Sequence, residues 1–179
     1  MSDRSVVDEL AEQLSWHWEA QLRPRFQGLG DEEYLWEPVP GCWSIRPGPE
    51  GAWLPDFAWP QPDPPPVTTI AWRLSHLVVG VFGDRNARYF GGEPVSYESY
   101  TYPPDAATSL ADLDRQVERW LSGVRDLSED DLGRPCEEPG HEQESMAALV
   151  LHINREAIHH GAEIALLRDL YLHGSGGRL

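Results

Sequence analysis

Between residues 4 and 27 the apolar side chains Val7, Leu10, Leu14, Trp18, Leu22 and Phe26 recur at spacings of three and four. One apolar stripe therefore runs down a helix of roughly six turns, a pattern that a strand of period two cannot use. Pro24 weakens its end. Three further stretches repeat the pattern. "TTIAWRLSHLVVGVFGDRNARYFG" predicts a second helix from near Thr68 to near Gly91, with Ile70, Leu74, Leu77, Val78 and Val81 on its apolar side and Gly80 and Gly83 weakening its middle. A third opens at the capping-box-like pair Ser109 and Asp112 and continues through Val117, Trp120 and Val124. A fourth runs from about Gln143 to Leu172, with Gly174 as a ready stop.

The connections between these stretches are long. Residues 28 to 66 are broken by glycine and proline, as in "PGPEGAWLPDFAWPQPDPPP", and residues 92 to 107 are similarly irregular. A long loop in a compact domain is often functional. Within the first, "DEEYLWEP" reads as a short helical turn capped by Asp31. With little strand alternation and no internal repeat, the expectation is an all-α four-helix bundle with long connecting loops, a single domain over residues 1–179. The chain carries eight tryptophans, four of them in the first connection. They could form a packed wall or line a pocket, for which Trp36, Trp43 and Trp72 are the candidates.

Fourteen Lys and Arg against thirty Asp and Glu give a formal charge of −16. Such a field repels phosphate backbones and anionic membrane surfaces, so neither nucleic acid nor membrane is expected as a partner. The start of the chain lacks the uninterrupted apolar core of a signal peptide, and no run approaches the ~20 apolar residues of a membrane-spanning helix. Two isolated cysteines, Cys42 and Cys136, suit a reducing compartment. A cytoplasmic location is the expectation.

The chemistry concentrates in "LVLHINREAIHHGAEIALL". His152, Glu156, His159, His160 and Glu163 fall within an arc of about 100° of one helix, bordered by Ile153, Ala157 and Ile164. A polar stripe is usually a solvated face, and a lone histidine is usually structural. His76, set among Leu74, Leu77 and Val78 in the second helix, shifts the weight. Glu156 and His160, four apart, can converge on one ion, and His76 from a facing helix would complete a two-histidine, one-carboxylate set with open positions for water or substrate. Zinc, nickel, iron and manganese all suit those donors. His152, His159 and Glu163 would orient the ligands or stand in for them.

Three segments, "DEEYLWEPVPGCWSI", "TTIAWRLSHLVVG" and "HINREAIHHGAEI", resemble the DinB/YfiT-like superfamily. The resemblance implies an up-down-down-up four-helix bundle, frequent homodimers, and a divalent ion held by three histidines, one from the second helix and two four apart in the last. It further implies transfer or isomerisation of a small electrophilic substrate with a low-molecular-weight thiol such as mycothiol or bacillithiol. Arg46, Arg73, Arg85 and Arg155 are the candidate basic contacts for such a thiol. Against the family pattern H-x-x-x-H-x-x-x-H-x-G-Q, His152, Glu156 and His160 fall on the three histidines and Glu163 on the glutamine. Glu156 thus stands where a ligand histidine is expected. A metal-dependent enzyme and a non-catalytic small-molecule-binding or stress protein both remain open, and a partner-binding module using Trp36 and Trp43 is a third, weaker reading.

Overall fold

The computed structural model describes residues 4–175, which are mostly helical. Helix α1, Val6–His17, passes through a π-helical turn, Trp18–Leu22, into Arg23–Arg25. Ser5 caps it by accepting the Asp8 amide, and Asp8 reciprocates. Helix α2 starts at Ile70–His76 behind the Thr69 cap, continues through a π-helical segment, Leu77–Gly83, and ends at Asp84–Tyr89. Helix α3 is Ala106–Arg125 and α4 is Met146–Leu170, which runs on into Tyr171–Ser175. In both internal π-helical segments an amide reaches back five residues, from Arg23 to the Trp18 carbonyl and from Asp84 to that of Val79.

Several helix starts differ from the sequence expectation. Helix α3 begins before Ser109: Asp105 accepts the Thr108 amide, and Ser109 lies buried one turn inside. Asp31 does not cap the turn Asp31–Tyr34, whose cap position is Gly30; its carboxylate accepts the Ala106 amide at 3.0 Å. Ser145, rather than a residue near Gln143, caps α4. The first connection also holds a small antiparallel ribbon, β1 Ile45–Pro47 with β2 Trp53–Pro55, Arg46 opposite Leu54.

One cluster of buried side chains draws on all four helices, with Trp120, Phe82, Leu14, Leu74, Leu113 and Ile164 among its fully enclosed members. Polar contacts fix the directions. Arg23 pairs with Asp114 while the Val6 amide reaches Glu129, just beyond α3, so α1 and α3 run oppositely. Asn154 donates to the Leu10 carbonyl and Arg25 pairs with Asp169, so α1 and α4 run together. Asn86 donates to Gln116 and Phe90 packs on Trp120, which aligns α2 with α3. His76 meets His160, while Arg85 and His152 line one cleft further along, so α2 and α4 are opposed. Among the described residues, no helix is long and apolar enough to cross a membrane.

Candidate metal centre

The start of α2 is pinned by the segment before it. The Trp43 amide donates to the Val67 carbonyl and the Thr69 amide to that of Trp43, both at 2.9 Å. Trp43 consequently packs against Trp72, 5.9 Å between centroids, and against Phe57 at 6.3 Å. Trp72 donates its indole N–H to the Asp56 carbonyl and stacks on the His76 ring at 5.5 Å and 18°. On the same imidazole, Nδ1 lies 2.7 Å from the Tyr97 hydroxyl. His76 is thus held in an aromatic row that Trp43 and Trp72 belong to. Trp36 lies apart and packs edge-on against Tyr171. The clefts of about 1100 and 800 Å³ are lined by other residues, the smaller by His152, Arg155 and Arg85 among them.

Across from α2, α4 presents His160, buried to 7% exposure. The His76 and His160 rings meet edge to face, centroids 4.7 Å apart. His160 Nδ1 is 2.7 Å from Glu163 Oε2. A carboxylate only accepts, so Nδ1 is the donor in this contact, and a ring carrying that single proton presents its lone pair at Nε2. That Nε2 has Glu156 Oε2 at 3.5 Å. His152 and Arg155 both approach Glu156 Oε1, at 3.7 and 3.6 Å, and the Arg155 guanidinium also donates to His152 Nδ1. His159 sits outside, its Nε2 3.5 Å from Glu163 Oε1. Donor atoms of His159, His160 and Glu163 lie within 4.8 Å of one another, the one such group among the described residues.

Arg73 adds a cation that the residue spacing did not place here. Its Nε is 3.1 Å from Glu163 Oε2 and its Nη1 3.3 Å from His160 Nδ1, so Glu163 serves both neighbours. Burial lowers the Arg73 pKa against the opposing pull of Glu163. Burial above all, with the His160, Arg73 and Arg85 charges adding to it, depresses His76 to about 3 and keeps its imidazole neutral at pH 7. Burial raises the Tyr97 phenol to about 12. Arg85 is held by Glu138 and the Gly80 carbonyl, while Arg46 is tied to Glu37 and Asp56 in the first connection. Tyr97 escaped the residue reading, because a tyrosine-rich loop carries no periodic signal that aims one hydroxyl at a helix.

The sequence model of the DinB superfamily matches residues 52–164. The chain belongs to the DinB superfamily. The matched span contains His76, Glu156, His160 and Glu163, whereas the stretch around Trp36 and Trp43 lies before it. No curated protein and no solved structure matches the chain. Membership points to a metal-binding, enzyme-like protein, and the donor chemistry here fits a divalent ion: two imidazoles from facing helices, one with its second nitrogen engaged by a carboxylate, and a further carboxylate on the nitrogen left free.

Proposed function

We propose that the chain is a metal-dependent enzyme of the DinB type, a single-domain up-down-down-up four-helix bundle in which His76, Glu156 and His160 hold a divalent ion. The pairwise directions of the helices support the bundle reading. The observation that carries the site is the edge-to-face meeting of His76 with His160, with Glu156 on His160 Nε2. A divalent ion there would supply Lewis-acid chemistry, lowering the pKa of a coordinated water or thiol. Zinc, nickel, iron and manganese all suit the donors, and the carboxylate of Glu156 favours the harder ones more than a third histidine would. A small electrophilic substrate and a low-molecular-weight thiol remain the reading for the reaction, with a cytoplasmic location and a homodimer as its setting.

The chain's own groups have separable roles. Glu163 holds the His160 ring by its Nδ1 proton, Arg73 fixes Glu163, and Trp72 shields one face of His76 from water. His152 and Arg155 brace Glu156 and border the 800 Å³ cleft, where a substrate would approach.

One observation favours a non-catalytic binding protein. The Arg73 guanidinium already lies beside Glu163 and His160, and its charge opposes a divalent ion. Elemental analysis of protein purified without a histidine tag or chelator separates the readings. The enzyme reading expects one ion per chain, lost in His76→Ala, His160→Ala and Glu156→Ala and kept in His159→Ala. Protein that stays ion-free after incubation with zinc, nickel, manganese and ferrous iron would leave only the binding role.

A further inference from the structure

Two glycines interrupt α2, and one loop fills the space that both leave. A Cβ at Gly80 would lie 2.0 Å from the Tyr97 hydroxyl, and one at Gly83 would lie 2.5 Å from Val95 Cγ1. Real Cβ atoms do not approach so closely, so Val95 and Tyr97 dock in a groove that only glycine leaves open. The same point above Gly80 is 3.1 Å from His76 Nδ1, so phenol and imidazole meet over that residue. Their rings are within 10° of parallel, with oxygen and nitrogen 2.7 Å apart. The Tyr97 carbonyl is itself anchored, accepting the Tyr102 hydroxyl at 2.8 Å.

We infer that Tyr97 is a positioning residue of the candidate metal centre, its phenol oxygen engaging His76 Nδ1 so that Nε2 is the nitrogen left for an ion. This rests on the reading of the site given above. A neutral imidazole carries one proton. With that proton on Nδ1 and donated to the phenol oxygen, Nε2 presents its lone pair, as Glu163 arranges for His160. The two imidazoles are thus oriented by different chemistry from different places, one by a carboxylate on its own helix and the other by a phenol from the 92–107 connection. Gly80 is the residue that lets the phenol reach.

Tyr97→Phe removes one oxygen and leaves the ring that fills the groove. Zinc affinity, measured by competition with a chromophoric chelator, should fall roughly 10- to 100-fold, with the helical circular dichroism unchanged. In metal-free protein carrying ¹⁵N-histidine, the His76 ring should shift from the Nδ1–H towards the Nε2–H tautomer while His160 stays as it was. Gly80→Ala should reproduce both effects by displacing the hydroxyl. A Tyr97→Phe protein that binds zinc within twofold of the wild type overturns the inference. If the wild type binds no zinc, the metal reading fails by itself. The imidazole spectra then decide: His76 signals that move in Tyr97→Phe keep Tyr97 as the group that fixes the ring, and unmoved signals remove it.

Discussion

Helix α4 carries two arginine–glutamate contacts to other parts of the chain, and they are built for different ends. Near its C-terminus, Arg168 meets Glu33 as a two-point pair, 2.7 and 3.1 Å, with side-chain exposures of 8% and 5%. The Nη1 group of Arg168 donates to the carbonyls of Arg25 and Gln27. The pair closes on itself and ties the turn Asp31–Tyr34 to the helix. One and a half turns earlier, Glu163 meets Arg73 by one oxygen, and that oxygen also takes the His160 proton. There the exposures are 20% and 32%, and Arg73 Nε makes no well-aligned hydrogen bond. The first contact is enclosed; the second is part-exposed and shares its carboxylate with His160, whose Nε2 has only Glu156 Oε2, at 3.5 Å, beside it. On the proposed metal reading, stability and ion binding are divided along one helix.

The comparison can be broken most forcefully at its closed end. Arg168→Leu strands the Glu33 carboxylate in the interior and should cost about 3–5 kcal/mol in urea unfolding; a loss below about 1 kcal/mol would mean that the pair is no lock. Gly161 lies between His160 and Glu163 and faces Leu22 in the π-helical turn of α1, where an added Cβ would come within 2.2 Å of Leu22 Cδ2. Gly161→Ala should cost about 1–3 kcal/mol through overpacking and, by displacing the neighbouring His160, should weaken zinc binding as well; a loss of stability with zinc affinity intact would make the two regions independent. At the open end the effects should invert. Glu163→Ala should change stability by about 0–1 kcal/mol, because the ion pair is part-exposed, yet lower zinc affinity roughly 10- to 100-fold. Equal losses of stability in Glu163→Ala and Arg168→Leu, read in the same titration, would erase the distinction.

The helices and the shared face of Glu156 and His160 were legible because both are local signals. Stripes at three and four residues foretold α1 to α4, and the four-residue step from Glu156 to His160 put both on one face. The histidine in an apolar stretch of α2 does meet α4. What escaped the sequence depends on partners distant along the chain. The start of α3 was misplaced because Ala106 and Ala107 extend the helix ahead of its apolar stripe, and Asp31, which looks like a cap for its own turn, instead accepts an amide 75 residues away. Gly80 and Gly83 read as weak points, whereas each marks a side chain docked from the 92–107 connection. Glu33, in the turn Asp31–Tyr34, is buried against Arg168, 135 residues away. Arg73 was one of four candidate cations, and only the packing of α2 on α4 singles it out.

In the proposed site an ion is held between α2 and α4 through the two histidines. Anomalous diffraction at the zinc edge from crystals grown with zinc tests it most directly. One strong peak is expected at about 2.0–2.1 Å from Nε2 of both His76 and His160, with Glu156 as the carboxylate donor. A peak confined to His159 and Glu163 on the outer face of α4, or none at the His76–His160 contact, would contradict it.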